Sequence, residues 1–271
     1  QSGENDFSKP SVIVANHQSH LDLICLMALN PKLIFFTNEW VWKNPIYGYV
    51  IRKADYIPVN DGVEAHLDKI RALVERGYSL VIFPEGTRTV DGSIGRFHKG
   101  AFYLAAELGL DITPVYIHGA YDVLPKTDFM LREGSVNVEV GPRIPCSKDY
   151  RSMTKVCHRI FVSHYAELRR TLETPEYLSV YVRYKYLYKG ADVESRCRKA
   201  LARVNDVAFL REVPSGNHFE IHGCGQGEYA LIFALMHPEV EVDAYDRDED
   251  NVMLASNISC LPANLHFHSE S

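Results

Sequence analysis

The stretch SVIVANHQSHLDLICLMAL, residues 11–29, decides the fold of the first part of the chain. Residues 11–15 are a short, mostly β-branched apolar run, which is typical of a buried strand. Residues 21–29 are apolar except for Asp22, which indicates a buried helix. The polar residues between them therefore lie where a strand ends and a helix begins, a favoured position for sites in open α/β sheets.

Two side chains at this junction, His17 and Asp22, form a candidate catalytic pair. Five residues apart on one helix they would point about 140° apart and could not meet. If Ser19 is the N-cap, His17 precedes the helix, Asp22 is its third residue, and the turn brings imidazole and carboxylate together. A carboxylate on one ring nitrogen fixes the tautomer and leaves the other nitrogen as a general base.

The same residues allow a purely structural interpretation. Ser19 and Asp22 have the spacing of a capping box, with Asp in place of the usual Glu or Gln, and an acid in the first turn suits the helix dipole. A histidine and an acid at this spacing are a weak signal when taken alone. A second motif has to decide between the two interpretations.

That second motif is PEGTRT at residues 84–89, which follows the apolar run LVIF at 80–83. Here too a predicted strand ends in polar side chains. With NHQSHLD at 16–22 and ITPV at 112–115, it resembles the glycerolipid acyltransferase superfamily, which transfers fatty acyl groups from coenzyme A or acyl carrier protein to an acceptor. The resemblance covers about residues 8–172 and favours the catalytic interpretation.

The resemblance implies a mechanism and an acceptor site. His17 would take a proton from an acceptor hydroxyl or amine as it attacks the thioester, and Asp22 would orient the imidazole, without an acyl-enzyme or a cofactor. Acyl coenzyme A or acyl carrier protein would be the donor and a lipid the acceptor. The residues implied in acceptor binding are Glu85, Gly86, Thr87, Arg88 and, as a second anion-binding candidate, Lys99. A structural ion pair between Arg88 and Glu85 is the ordinary alternative.

The acceptor-pocket segment between the motifs departs from the family. The family's arginine after that segment is replaced by NDG at 60–62, and Asn38 stands where the family often has a lysine. Loss of two cations weakens phosphate binding, which argues against lysophosphatidic acid unless Arg52 or Lys43 substitutes. The segment therefore favours an unusual acceptor, such as an amino-acid lipid or an aromatic alcohol.

The composition excludes several classes of function. With 271 residues, 46% hydrophobic and 24% charged side chains, and a net charge of −6, the profile is that of a globular chain with ample core. The acidic balance argues against nucleic acid as a partner. The six cysteines lack Cys-x-x-Cys spacing, which indicates reduced, cytosolic thiols. The histidines do not have the spacing of metal ligands, so no metal site is predicted.

The pattern of elements predicts an α/β fold with a mostly parallel sheet flanked by helices. Strands are predicted at 11–15, 56–59, 80–83, 112–118 and 136–140, and helices at 21–29, 63–76, 100–108 and 152–172. The helix at 63–76 would be the crossover of a right-handed βαβ unit. The predicted division is residues 1–173 as the acyltransferase domain, 174–212 as a helical linker and 213–271 as a truncated Rossmann-like segment.

The predicted linker is rich in tyrosine. Residues 177–190 interleave tyrosines with Arg183, Lys185 and Lys189, which would suit a membrane interface. We prefer a connecting helix that packs its rings on the neighbouring domain, because aromatic stripes are more often buried.

The last segment carries a glycine-rich turn after a predicted strand, and an acid, Asp246, ends the next strand. The glycines are Gly223, Gly225 and Gly227. In a nucleotide-binding βαβ unit such glycines admit a close approach and the acid takes ribose hydroxyls. The segment resembles the start of a class I S-adenosylmethionine-dependent methyltransferase. Because it stops at its third strand, we expect a half-domain that does not bind S-adenosylmethionine.

The relation of the chain to a membrane follows from the resemblance. No apolar run of about 18 residues is present, so we expect no spanning segment in this sequence. Members of the family usually carry an N-terminal helix or membrane segment, so we expect part of a larger membrane-bound polypeptide, associated peripherally at the cytoplasmic face. The alternative to an active enzyme is an inactive acyltransferase relic or an S-adenosylmethionine-binding module.

Overall fold

The computed structural model describes residues 7, 9–37, 57–58, 66–126, 130–212 and 214–270. Apart from Ile57 and Pro58, the predicted acceptor-pocket segment lies outside the described residues, and with it Asn38, Lys43, Arg52 and residues 60–62. The chain divides into two compact units, residues 1–166 and 167–271.

The first unit is built on a mostly parallel sheet. Its described strands are β1 Val12–Ala15, β2 Leu33–Thr37, β3 Ile57–Pro58, β4 Ser79–Ile82, β5 Ile112–His118 and β6 Asn137–Val140. They lie in the order β3-β2-β4-β1-β5-β6, and among them only β6 is antiparallel to its neighbour. The predicted α/β fold class is confirmed.

Helices α1 to α5 connect and flank these strands. They are α1 Leu21–Leu29, α2 Leu67–Glu75, α3 Gly100–Leu108, α4 Ala120–Val123 and α5 Tyr150–Leu172. Every residue of β1 and β5 is buried, as expected of central parallel strands covered on both faces. The carboxyl ends of β1 and β4 consequently hold the residues that follow them on a rigid, buried support.

Strand β2 was missing from the predicted elements, although Leu33, Ile34 and Phe35 form a buried apolar run that could have revealed it. It lies between β3 and β4, so α2 connects two strands that are not neighbours in the sheet. Strand order is a long-range property, and the local pattern of apolar residues does not contain it.

The second unit contains three parallel strands in the order β7-β8-β9, namely β7 His218–His222, β8 Glu241–Asp246 and β9 Leu265–Ser269. Its helices are α6 Pro175–Lys185, α7 Ala191–Leu201, α8 Glu228–Met236 and α9 Glu249–Ser256. Leu178, Val182 and Tyr186 of the tyrosine-rich segment lie in the core that contains these strands. The Tyr186 hydroxyl donates to the Gln226 carbonyl at 2.8 Å. The helices predicted as a linker therefore form part of this unit.

Burial governs the chemistry of several cysteine thiols. All six cysteines are free, and burial raises the pKa of Cys157 to about 11 and of Cys197 to about 12. Such thiols stay protonated and unreactive at neutral pH. Within the ranges that the structure describes, no helix combines the length and the apolar character needed to cross a bilayer.

Candidate active site

His17 and Asp22 meet just beyond the carboxyl end of β1. His17 Nδ1 lies 2.8 Å from Asp22 Oδ2, the carboxylate is fully buried, and the imidazole is 20% exposed. The same oxygen accepts the backbone N–H groups of Gln18 at 2.7 Å and of Ser19 at 2.9 Å. The contact predicted from the spacing is present, and it leaves His17 Nε2 as the nitrogen that can face a substrate.

Helix α1 spans the predicted residues Leu21–Leu29, but its N-cap is not the residue that we assumed. His20, and not Ser19, is the N-cap, and Asp22 is the second helical residue. The Ser19 hydroxyl accepts Leu21 N at 3.2 Å and donates to the Leu124 carbonyl at 2.8 Å, so it closes a turn just before the helix. Asp22 still reaches back to Ser19 N, so one carboxylate serves both the capping and the histidine contact.

Two further contacts hold His17, one through its ring and one through its backbone. Its ring stacks on Phe83, which follows β4, with centroids 4.0 Å apart and planes 19° apart. Its backbone carbonyl accepts Thr89 N at 2.8 Å, which ties the second motif to the first. The ring is therefore fixed in orientation while one edge stays accessible.

Glu85 joins the two motifs through backbone contacts. Its Oε1 accepts His17 N at 2.9 Å and its Oε2 accepts Gly95 N at 2.7 Å. A Cβ added at Gly95 would come within 2.8 Å of Oε2, so a side chain at this position would displace the Glu85 carboxylate. Both carboxylate oxygens of Glu85 thus bind backbone N–H groups. The resemblance instead implied that Glu85 lies in the acceptor pocket, and the structural alternative was an ion pair with Arg88.

The pKa of Glu85 provides a test of this arrangement. Burial is the largest cause that raises its pKa above the usual value of 4.5. Because the folded state then retains the proton longer, the stability contributed by Glu85 is complete below pH 4.5 and is lost as the pH rises through the folded pKa. We expect wild type to lose up to about 1.4 kcal/mol per pH unit in that window relative to Glu85→Gln.

The measurement is urea unfolding of both proteins between pH 4 and 8, followed by tryptophan fluorescence. Both tryptophans, Trp40 and Trp42, belong to the first unit. The other titrating groups are the same in both proteins, so their contributions cancel in the difference between the two free energies of unfolding. A difference that stays constant with pH would contradict a raised pKa at Glu85.

Residues 86–88 of the second motif lie between two residues that bind His17, Glu85 and Thr89. Gly86 has φ +71° and allows the turn, Thr87 is exposed, and Arg88 is half-buried. Burial, followed by the charges of Arg88 and His17, lowers the pKa of His20, so Arg88 acts electrostatically on the catalytic turn. Lys99 is exposed at the N-cap of α3.

Two residues near this site were not singled out by sequence reasoning. Gln18 is buried, and its amide nitrogen contacts the Tyr165 hydroxyl and, at 3.5 Å, the Gly92 carbonyl. Lys126 Nζ donates to Thr87 Oγ1 at 2.9 Å and to the Arg88 carbonyl at 3.2 Å. Gln18 lies inside the first motif and could have been noticed there, whereas no sequence pattern marks Lys126.

The glycine-rich turn of the second unit has a backbone conformation that favours glycine. Gly223, Gly225 and Gly227 all have positive φ, at +69°, +57° and +89°. A Cβ at Gly227 would meet the Phe267 ring at 2.7 Å, whereas one at Gly223 or Gly225 would meet nothing within 4 Å. Backbone at those two positions is open to a ligand.

The carboxylate of Asp246, the acid of that unit, binds backbone N–H groups. Asp246 is 9% exposed, its Oδ2 accepts Gly225 N at 2.7 Å, and its Oδ1 accepts Asp248 N at 2.9 Å. Both oxygens are therefore engaged in closing the glycine turn. The glycines fit S-adenosylmethionine, but the carboxylate in this conformation does not fit the ribose of that cofactor.

Comparison with known proteins bears on the first unit. Residues 2–118 match the Acyltransferase family model. This range contains His17, Asp22 and the 84–89 motif, and it excludes Lys126 and the glycine-rich turn.

Several curated proteins resemble the same part of the chain. It is 33% identical over 145 residues to the 1-acyl-sn-glycerol-3-phosphate acyltransferase LPAT1, chloroplastic, of Arabidopsis thaliana, which covers 51% of this chain and 40% of that protein. It is 28% identical over 175 residues to the human 1-acyl-sn-glycerol-3-phosphate acyltransferase beta, covering 60% of this chain and 63% of that protein. The chain thus spans less than two thirds of either relative.

A solved structure shares the fold. The crystal structure of the 1-acyl-sn-glycerophosphate (LPA) acyltransferase PlsC from Thermotoga maritima superposes with a TM-score of 0.54 at 24% identity. The match covers 59% of this chain and 67% of that one. It supports the α/β architecture with a mostly parallel sheet flanked by helices.

Proposed function

We propose that the first unit transfers a fatty acyl group from a thioester donor to a lipid acceptor, with His17 as general base and Asp22 as its positioning partner. The observation that carries the proposal is the 2.8 Å contact between His17 Nδ1 and a fully buried Asp22 carboxylate, which is itself fixed by two backbone N–H groups. The match to the Acyltransferase family and the names of the relatives support acyl transfer to a lipid.

The chemistry needs no covalent enzyme intermediate. With a proton on Nδ1 held by Asp22, His17 Nε2 accepts the proton of the acceptor hydroxyl or amine as its oxygen or nitrogen attacks the thioester carbonyl. The new C–O or C–N bond forms, the C–S bond breaks, and the imidazolium returns its proton to the departing thiolate. The buried charge of Asp22 stabilises the imidazolium in between.

The donor and the acceptor contacts are part of the proposal. Acyl coenzyme A or acyl carrier protein is the donor. On the acceptor side we propose the exposed turn at Gly86 and Thr87, the guanidinium of Arg88 and the exposed Lys99, whose neighbour His98 donates its N–H to the Pro84 carbonyl. Glu85 serves this site indirectly, because it fixes the backbone of His17.

A transfer assay tests the function. The purified chain is given palmitoyl coenzyme A or palmitoyl acyl carrier protein, together with lysophosphatidic acid, monoacylglycerol, an amino-acid lipid or an aromatic alcohol. Acyl product on a lipid acceptor is expected. Absence of product from both donors with every acceptor would contradict the proposal and favour an inactive acyltransferase relic.

We also propose peripheral association with the cytoplasmic face of a membrane, where such an acceptor resides. Ile24 and Met27 lie on α1, the helix that carries Asp22, and are 63% and 40% exposed. Val90, directly after the second motif, is 63% exposed. Apolar side chains of this kind around a lipid site suit contact with a bilayer. Failure of the chain to sediment with lipid vesicles would count against the proposal.

For the second unit we expect no binding of S-adenosylmethionine. Asp246 would have to break its bonds to Gly225 N and Asp248 N before it could accept ribose hydroxyls. Calorimetric titration of the whole chain with S-adenosylmethionine is expected to give no heat of binding. Micromolar affinity that is lost in Asp246→Ala would reverse this expectation and support a cofactor-binding module.

A further inference from the structure

The carboxylate of Asp22 is held through one of its two oxygens. Oδ2 lies 2.8 Å from His17 Nδ1 and accepts Gln18 N at 2.7 Å and Ser19 N at 2.9 Å. Oδ1 is buried and has no hydrogen-bond partner among the described residues. A carboxylate bound at one oxygen can turn about that oxygen, so its contact with His17 depends on how firmly the two backbone N–H donors are held.

Each of these two donors belongs to a residue whose side chain is bound far away in the sequence. The Ser19 hydroxyl donates to the Leu124 carbonyl at 2.8 Å, 105 residues away. The Gln18 amide nitrogen donates to the Tyr165 hydroxyl, 147 residues away on α5. The turn at residues 17–22 is therefore fixed by long-range contacts and not by its local sequence alone.

The carboxamide of Gln18 has one orientation that satisfies its neighbours. The residue is 2% exposed, and its Oε1 accepts Tyr121 N at 3.4 Å. Its Nε2 donates to the Tyr165 hydroxyl and, at 3.5 Å, to the Gly92 carbonyl. A backbone N–H needs an acceptor and a carbonyl needs a donor, so the flipped amide does not fit. Because the two backbone contacts are long, the Tyr165 hydroxyl is the main anchor of this side chain.

Tyr165 offers this anchor from a rigid support. It lies on α5 and is 5% exposed, and its ring centroid is 6.1 Å from that of His118, the last residue of β5. Helix α5 is also joined to the loop after the second motif, because His158 Nε2 lies 3.1 Å from the Gly95 carbonyl. Few rotamers are open to a close-packed ring, so the hydroxyl stays where Gln18 reaches it.

We propose that Tyr165, acting through Gln18, is a positioning residue for the catalytic pair. The inference rests on the proposed acyl transfer and adds to it a residue outside both motifs. The Tyr165 hydroxyl holds the Gln18 side chain, the Gln18 N–H then points to Asp22 Oδ2, and the carboxylate stays against the imidazole of His17. Without the hydroxyl, Asp22 spends part of its time turned away from His17, and only the remaining fraction of molecules is competent for proton transfer.

Tyr165→Phe tests the inference, because it removes the hydroxyl and keeps the buried ring. We expect kcat for acyl transfer to fall about 3- to 10-fold, the equivalent of one neutral hydrogen bond, with KM for donor and acceptor as in wild type. In a His17→Ala background the same substitution should cause no further loss, because the imidazole that it helps to orient is absent. An equal loss in both backgrounds would show an effect independent of the catalytic pair and would overturn the positioning role.

Tyr116→Phe is the matched control. Tyr116 is also buried, and its ring packs on Phe161 and His164 of the same helix, with centroids 4.7 Å and 4.2 Å apart. Its hydroxyl lies beside Gly141, after β6. Its kcat and KM values should stay as in wild type. A fall in kcat as large as that in Tyr165→Phe would mean that loss of any buried hydroxyl under α5 slows transfer, which would also overturn the inference.

Amide hydrogen exchange followed by NMR separates this inference from the proposed function, because it needs no substrate. The amide protons of Gln18 and Ser19 should exchange about 3- to 10-fold faster in Tyr165→Phe than in wild type, and at the wild-type rate in Tyr116→Phe. If exchange is faster but wild type transfers no acyl group, the positioning stands and the proposed function fails. Unchanged exchange at both amides would overturn the positioning, whether or not wild type transfers acyl groups.

Discussion

His17→Ala is expected to lower kcat for acyl transfer by about 10²–10⁴-fold, the usual contribution of a general base. The substitution removes the only group proposed to accept the acceptor's proton. It leaves the backbone bonds from His17 N to Glu85 and from Thr89 N to the His17 carbonyl in place. The measurement is single-turnover transfer from palmitoyl coenzyme A, at saturating acceptor, so that binding does not mask the chemical step.

The stability of His17→Ala should change little. The variant loses the stacking on Phe83 and one of three donors to Asp22, which together are worth less than about 2 kcal/mol for a partly exposed ring. His164 offers a matched control, because its Nε2 lies 2.9 Å from Glu139 in the same unit. Transfer that persists in His17→Ala, or falls equally in His164→Ala, would remove His17 from the mechanism.

Asp22→Asn is expected to lower kcat by about 10²–10⁴-fold as well, because the imidazolium formed during transfer loses its buried counter-charge. Asparagine can still accept the Gln18 and Ser19 N–H groups, so the turn should be retained. Since Asp22 acts through His17, adding Asp22→Asn to His17→Ala should cause no further loss. A further tenfold loss in the double variant would mean that Asp22 acts independently of His17.

Asp22→Ala separates the structural role of this carboxylate from the catalytic one. Gln18 N and Ser19 N would lose their acceptor in a fully buried position. At about 1–3 kcal/mol for each unsatisfied group, the free energy of unfolding should fall by about 2–6 kcal/mol. Urea unfolding of the Asn and Ala variants side by side checks this. Equal stability of the two variants would mean that the backbone finds other acceptors.

The Glu85 and Lys126 contacts extend the proposed site beyond the catalytic pair. Glu85 orders the backbone of His17, and Lys126 binds the turn that carries Thr87 and Arg88. Truncation at these two positions is therefore expected to give different kinetic effects. Glu85 should act mainly on kcat through the position of His17, and Lys126, through the turn that it binds, mainly on KM for the acceptor.

Much of the first unit could be predicted from local sequence. The apolar runs at β1, β4 and β5 and the helix at Gly100–Leu108 have the predicted type and nearly the predicted ends. The contact between His17 and Asp22 was also predictable, because five residues across a strand-to-helix turn leave few ways for the chain to close. The N-cap was predicted one residue too early, since Ser19 bonds instead to Leu124, far away in the sequence.

Sequence alone thus determined the fold class and the contact between His17 and Asp22, because each depends on residues that are close together in the chain. Tertiary structure alone decided three other features: the place of β2 within the sheet, the use of Glu85 as an acceptor for His17 N, and the position of Lys126 over Thr87. The Glu85 and Lys126 contacts join residues that are 68 and 39 apart in the chain. Such contacts depend on which strands are neighbours and on which loops lie close together in the fold, and no local sequence pattern encodes either.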